Sequence, residues 1–207
     1  LGTLLLVVPL TLGHVGKFEE GNLGAATARI VRAATPADAD QVYEAIRVAR
    51  PGGLGKVAAG DVAEAPTMSL LEAMGLAAER DLVARQWVNE FCEVVEAADV
   101  IEQEYHAGVP LGEAIVVSQL TLLAAHGDSL VARKLGDAAS RDVAARAAHV
   151  LSKRGDAAEY IALRHDFDFW LRSDGNRRNP GTTAYLLAAS LLMLQLDGKL
   201  TLPVRFY

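Results

Sequence analysis

The sequence has a single cysteine, Cys92, among its 207 residues. One thiol excludes an intrachain disulfide and a zinc site built from several thiolates, and it fits a reducing cytoplasm. The chain also lacks an excess of positive charge, since 20 basic against 26 acidic residues give a formal net charge of −6. This balance argues against a basic surface that binds nucleic acid non-specifically. We therefore expect a cytoplasmic protein without a nucleic-acid partner.

The opening apolar run is too short to cross a bilayer, which requires about 20 residues. It reads "LGTLLLVVPLTLGH", contains Pro9 and has no basic leader. We therefore expect a buried helix, with neither a signal peptide nor a membrane partner. Because the pattern begins abruptly, we also expect native sequence to precede Leu1.

Alternating strand patterns are nearly absent, and no repeat, low-complexity tract or long linker divides the chain. A long helical region is predicted from Ser69 to about Tyr105, and "TTAYLLAASLLMLQL" predicts a last, nearly all-apolar helix that should be central. Only "KLTLPVRFY" at the end could be extended, and Pro203 argues against a central strand there. The apolar stripe of the long region comprises Val83, Trp87, Phe91, Val94, Ala98 and Ile101. The sequence predicts an all-α fold: one multi-helix bundle, a single domain over residues 1–207.

Three connecting segments have compositions that packing does not require, and the first is "RPGGLGKVAAGD", residues 50–61. Its glycines include Gly52, Gly53 and Gly55. They are typical of a helix stop followed by a surface loop. They also allow a loop whose bare backbone approaches a ligand closely.

The second segment is "GDSLVARKLG", residues 127–136. Gly127 can end the preceding helix, and Asp128 or Ser129 can cap the next one. Arg133 and Lys134 then lie early in that helix, where its positive end disfavours cations. They are better explained if an anion shares the site; alternatively, they face solvent or pair with nearby acids.

The third segment is "DGNRRNPGTTA", residues 174–184, which precedes the last apolar helix. Gly181 lies in the turn, and Thr182 or Thr183 caps the helix. The free N–H groups of the helix start and its dipole would attract a phosphate, with Arg177 and Asn179 just upstream. The same residues are also typical of a simple helix cap.

Taken in order, these segments resemble the triphosphoribosyl-dephospho-CoA synthase family. "GDSLVARKLG" is similar to a family stretch with an aspartate near its start, and "NPGTTAYLLAASL" resembles a Pro-Gly-small-small-Ala-Asp-Leu-Leu segment. "LGTLLLVVPL" resembles the apolar helix that follows an Asn-Thr-x-x-Gly motif. Two features depart from the family. Its N-terminal part, with a Lys-Pro-Gly motif, is absent, and Tyr185 stands where the family usually has aspartate.

The resemblance implies a transferase that joins the ribosyl triphosphate of ATP to the 2′-hydroxyl of dephospho-CoA, a CoA-like acceptor, and releases adenine. Cations, backbone amides and Mg²⁺ would hold the triphosphate. The cations would be Arg133, Lys134 and Arg177, beside the helix start at Thr182 and Thr183. A carboxylate would stabilise the electron-poor anomeric carbon, and a proton donor would help the base to leave.

Two aspartates are candidates for that carboxylate. Asp128 is the first, and it is also the candidate metal ligand; Asp168 is the second. For each, the alternative is a structural role as a helix cap or a surface charge.

Two other functions stay open. One is a non-catalytic helical protein of the same fold that binds a ligand or takes part in an assembly, as the missing N-terminal part and Tyr185 would favour. The other is a metal-dependent phosphohydrolase based on His165 and Asp166. The sequence does not decide between a monomer and a homo-oligomer.

Overall fold

Helix is the regular secondary structure of the chain wherever this computed structural model describes it: residues 2–20 (side chains 2–15), 23–49, 61–200 and 203–207. These ranges contain eleven helices, which confirms the all-α prediction. They are α1 (Gly2–Glu20), α2 (Leu23–Arg32), α3 (Pro36–Ala49), α4 (Leu70–Ala77), α5 (Leu82–Val88), α6 (Cys92–His106), α7 (Leu111–His126), α8 (Ser129–Leu135), α9 (Asp137–Ser152), α10 (Ala157–Arg172) and α11 (Gly181–Leu196).

The chain forms two compact units, Leu1–Val94 and Val95–Tyr207. The single domain expected from the sequence stays a prediction.

In the first unit, α1 packs along α2 and is tied to α5 at its proline. Pro9 lies inside α1 and has no N–H, so the carbonyl of Leu5, four residues earlier, loses its helical donor. The indole N–H of Trp87 donates to that carbonyl at 3.0 Å. The proline is therefore tolerated in mid-helix because a side chain of another helix replaces its missing donor.

The long helical region expected between Ser69 and Tyr105 is broken twice, so the prediction of one continuous stretch is wrong. The first break lies between Ala77, where α4 ends, and Asp81, whose carboxylate accepts from two backbone amides of α5 and caps the start of that helix. The second break lies at Glu90 and Phe91, whose φ angles are 60° and 65°. The apolar stripe is nevertheless buried along its whole length.

In the second unit, α9 packs against α7 and α8, and α11 packs against the same two helices. Much of α11 is buried, as expected for an apolar helix of the core. Residues 203–207 form no strand, and two of their carbonyls satisfy the first amides of α7: Leu111 N–H donates to Arg205 O at 2.9 Å, and Gly112 N–H to Phe206 O at 3.0 Å.

No single described helix is long and apolar enough to span a membrane; α7 and α8 meet the criteria only as a pair bent by 54°.

Candidate functional site

Two of the three segments singled out from the sequence meet at the carboxylate of Asp128. Its Oδ1 accepts from the backbone N–H groups of Leu130, at 2.9 Å, and Val131, at 3.1 Å, at the start of α8. Its Oδ2 accepts from the backbone N–H of Thr183 at 2.8 Å and from the hydroxyl of that threonine at 3.2 Å, in the first turn of α11. One side chain therefore caps α8 and also binds the start of α11, 55 residues further along the chain.

A second layer of contacts surrounds this junction. The hydroxyl of Ser129 lies 3.0 Å from that of Thr182, which also accepts from Leu130 N–H at 3.2 Å. Gly181, the first residue of α11, lies close to the side chain of Leu130 in α8. A Cβ at this glycine would lie only 2.7 Å from a methyl carbon of Leu130. A side chain at this glycine would therefore require Leu130 to shift where the start of α11 packs against α8.

Ser140 of α9 binds the backbone of Asp128 at this junction, and the sequence did not indicate it. Its hydroxyl accepts from the Asp128 backbone N–H at 2.9 Å and donates to the Asp128 carbonyl at 3.2 Å. A Cβ at Gly127, whose φ is 66°, would lie 2.3 Å from that hydroxyl oxygen. Gly127 therefore serves as the predicted helix end and also makes room for the serine.

Asp128 is 0% exposed, and this burial dominates its titration. Burial raises the pKa of the Asp128 carboxyl, although the amides of Thr183, Val131 and Leu130 act in the opposite direction. Both carboxylate oxygens are used in hydrogen bonds to the protein, so the geometry favours the capping role. The catalytic and metal-binding roles of Asp128 stay predictions.

The predicted cations lie outside this buried junction. Arg133 and Lys134 are exposed on α8, and Arg133 lies one turn beyond Ser129, about 6 Å along the helix. Arg177 and Asn179 are exposed in the turn before α11. Positive charge therefore lies near the starts of α8 and α11. Three backbone amides at these starts already donate to Asp128 and so are not available to a ligand.

The second candidate carboxylate, Asp168, is exposed on α10 and forms an ion pair with Arg172 one turn later. His165 and Asp166 are exposed on the same helix. The described residues contain no group of three or more His, Cys, Asp or Glu side chains arranged to hold a metal ion. Gly52, Gly53 and Gly55 lie outside the described residues.

Residues 1–203 match the CitG family, ATP:dephospho-CoA triphosphoribosyl transferase. The chain belongs to this family. A solved structure from Archaeoglobus fulgidus, of a protein described as a triphosphoribosyl-dephospho-CoA synthase, is 26% identical and has a TM-score of 0.72; the match covers 96% of this chain and 83% of that chain. No curated protein matches the chain.

Family membership confirms the resemblance read from the sequence. The chain is a triphosphoribosyl-dephospho-CoA synthase-like transferase, and the nucleotide substrate of its family is ATP. Tyr185, which the sequence predicts to depart from the family, lies half-buried in the first turns of α11. Its hydroxyl is 4.0 Å from the position that a Cβ at Gly181 would take. Tyr185 therefore lies beside the junction of α8 and α11.

Trp170 marks a second feature that the sequence did not indicate. The guanidinium carbons of Arg146 and Arg178 lie 4.2 Å and 4.4 Å from its ring centroid. Arg178 also pairs with Asp174, which fixes the turn before α11. No local pattern could have signalled this cluster, because its members come from α9, α10 and the turn that follows α10.

Proposed function

We propose that this chain transfers the triphosphoribosyl group of ATP to the ribose hydroxyl of a dephospho-CoA-like acceptor and releases adenine. The donor follows from the family, while the acceptor and the site are our proposal. We propose small-molecule partners only, with no nucleic acid and no membrane, and a cytoplasmic location in keeping with the single cysteine.

The junction at Asp128 is the observation that carries the proposal. It brings the starts of two helices together, each followed or preceded within a few residues by exposed basic side chains. We propose that Arg133, Lys134 and Arg177 bind the triphosphate from outside the junction as charge-assisted donors. Ser129 would add a hydroxyl. Asp128 would act as the positioning residue that holds both helix starts.

The reaction places two demands on the chain. The bond between the anomeric carbon and the adenine nitrogen breaks, and a bond forms to the acceptor oxygen, whose proton must be removed while adenine gains one. Positive charge develops on the sugar, so a nearby carboxylate stabilises it. Asp168, exposed on α10, is the candidate with access to solvent, and Asp128 would reach the sugar only after giving up a hydrogen bond.

Magnesium remains part of the proposal only through the substrate. The described residues at the junction do not fit a metal site, because the one carboxylate there is buried and hydrogen-bonded through both oxygens. We therefore propose that Mg²⁺ enters bound mainly to the phosphates of ATP.

Calorimetric titration with ATP, with and without Mg²⁺, tests the binding part. Replacing Arg133 and Lys134 together by glutamine should weaken ATP binding about a hundredfold or more, since each charge-assisted bond contributes about 1.5–3 kcal/mol. Lys153→Gln is the matched control, at the far end of α9 and paired with Glu159. Equal affinity in the double variant and the control would contradict the assignment of the phosphate site.

Release of adenine tests the chemistry. Protein incubated with ATP and dephospho-CoA should yield free adenine and a product heavier than the acceptor by the triphosphoribosyl group, measured by chromatography and mass spectrometry. Asp168→Asn should slow adenine release without weakening ATP binding. Unchanged turnover in this variant would remove Asp168 from the mechanism.

A non-catalytic ligand-binding protein is the second candidate, and Tyr185 favours it. Such a protein would bind ATP without consuming it. Tyr185→Asp restores the residue usual in the family, so adenine release that appears only in this variant would support the non-catalytic alternative for the native chain. Release by the native chain would reject it.

A further inference from the structure

The first unit contains an apolar pocket that the transferase proposal does not use. Its volume is about 290 Å³, near the lower end of small-molecule sites and enough for a single-ring compound. The rings of Trp87 and Phe91 line it together with Val31, Leu71 and Val88. Apolar side chains from α2, α4 and α5 therefore border a half-open space of the size of a small ring, to which Trp87 and Phe91, 7% and 2% exposed, contribute little surface.

Strained backbone lies at one wall of the pocket. Glu90 and Phe91 have φ angles of 60° and 65°, a conformation that side chains other than glycine rarely adopt. Each such residue costs about 1–3 kcal/mol, and strain of this kind concentrates at ligand clamps and active sites. Both strained residues line the pocket. The strain therefore lies at the pocket wall.

A buried polar cluster holds that strained wall in place. Glu93 is 5% exposed, and it accepts hydrogen bonds at 2.7 Å from the side-chain amides of both Gln86 and Asn89. The amide oxygen of Gln86 accepts from Val94 N–H at 3.2 Å, across the break between α5 and α6. The cluster therefore joins the end of α5 to the first turn of α6 and holds Glu90 and Phe91, which lie between these helices.

The rim of the pocket carries one exposed ion pair. Arg32 Nη1 donates to Glu90 Oε1 at 2.8 Å, and the two side chains are 59% and 67% exposed. Such a pair contributes little stability in water and exchanges easily. A guanidinium has five N–H donors in a planar fork, so it can bind a second carboxylate besides Glu90.

We propose that this pocket binds a small aromatic carboxylate, with its ring against Leu71 and Val88, beside the nearly buried Trp87, and its carboxylate at Arg32. The small, mainly apolar space favours a flat apolar group. The arginine at the rim selects an anion over a neutral analogue. This inference is independent of the proposed transfer reaction, and its test uses no nucleotide.

Fluorescence of Trp87 tests the proposal with benzoate as the probe. The chain has two tryptophans, so Trp170→Phe leaves Trp87 as the single reporter. Benzoate should change its emission saturably with about millimolar affinity, as expected for so small a ligand. It should bind about two- to fivefold more tightly than benzyl alcohol, and Arg32→Gln should abolish that preference.

Two valines supply the matched pair of variants. Val88 lies at the pocket and is 45% exposed, whereas Val48 on α3 is 78% exposed and does not line it. Val88→Phe should weaken benzoate binding at least tenfold, and Val48→Phe should leave it unchanged. If Val88→Phe fails to fold by circular dichroism, Leu71→Phe, at a half-buried position of the same wall, replaces it. Unsaturable quenching, or equal affinity in the pocket variant and the Val48 control, would overturn the proposal.

Discussion

Replacing Asp128 by alanine should be among the most destabilising single changes in the second unit. The substitution removes the acceptor shared by α8 and α11. Leu130 N–H keeps the Thr182 hydroxyl at 3.2 Å, and the Thr183 hydroxyl keeps the carbonyl of the preceding proline at 3.0 Å. The backbone N–H groups of Val131 and Thr183 lose their acceptor in a buried site. Each such loss costs about 1–3 kcal/mol, so we expect a total of about 3–5 kcal/mol.

Urea unfolding followed by circular dichroism measures this loss, and Asp156→Ala is its control. Asp156 is an exposed aspartate that caps only α10, accepting from two backbone amides at 3.1 Å each. Its removal should cost about 1 kcal/mol. The difference between the two variants isolates the bond to α11 and the effect of burial. If Asp128→Ala costs no more than the control, the carboxylate does not hold the junction, and our assignment of a positioning role fails.

Three further predictions concern the first unit. Burial raises the pKa of Glu93, but hydrogen bonds from two side-chain amides outweigh it, so the pKa lies below its usual value of 4.5. The stability that native protein holds over Glu93→Gln should therefore be fully present above pH 4.5 and shrink in urea unfolding as the pH falls below it. At Glu90, glycine should give a more stable protein than alanine by about 1 kcal/mol, because φ is positive there, and equal thermal stability would contradict this. Trp87→Phe should cost about 1 kcal/mol in urea unfolding, and less in a Pro9→Ala background whose new N–H can donate to Leu5 O; an equal cost in both backgrounds would exclude that hydrogen bond.

Much of the fold could be predicted because local rules act within one turn of helix. The spacing of Val143, Ala147 and Val150 predicts a buried face of α9, and all three are buried. The helix boundaries within the apolar stripe between Ser69 and Tyr105 were harder to predict. Its apolar residues keep a helical spacing across the break at Glu90 and Phe91, and neither residue is typical of positive φ. The pattern therefore predicts the buried residues correctly and gives no sign of the interruption.

Contacts between distant segments could not be predicted from such rules. The sequence indicates a cap at Asp128 and, separately, a cap at Thr182 or Thr183, but nothing local says that one carboxylate serves both helix starts. The same holds for the proline in α1. The sequence shows that Pro9 removes the donor to the Leu5 carbonyl. The replacement donor, Trp87, lies 82 residues after Leu5 and is identified only once the helices are packed.

The junction also changes how a helix start should be interpreted as an anion site. The sequence favours a phosphate at the start of α11 because unbonded amides and the dipole attract negative charge. A buried carboxylate accepts hydrogen bonds from the same amides and interacts favourably with the same helix dipole. Unlike a ligand, it is always present. At Asp128 that carboxylate accepts from Thr183 N–H and from two amides of α8. Any phosphate bound here must therefore depend on the exposed cations, Arg133 and Lys134 among them, more than on the helix dipoles. Its affinity should accordingly fall with rising salt, as that of a dipole site buried from solvent would not.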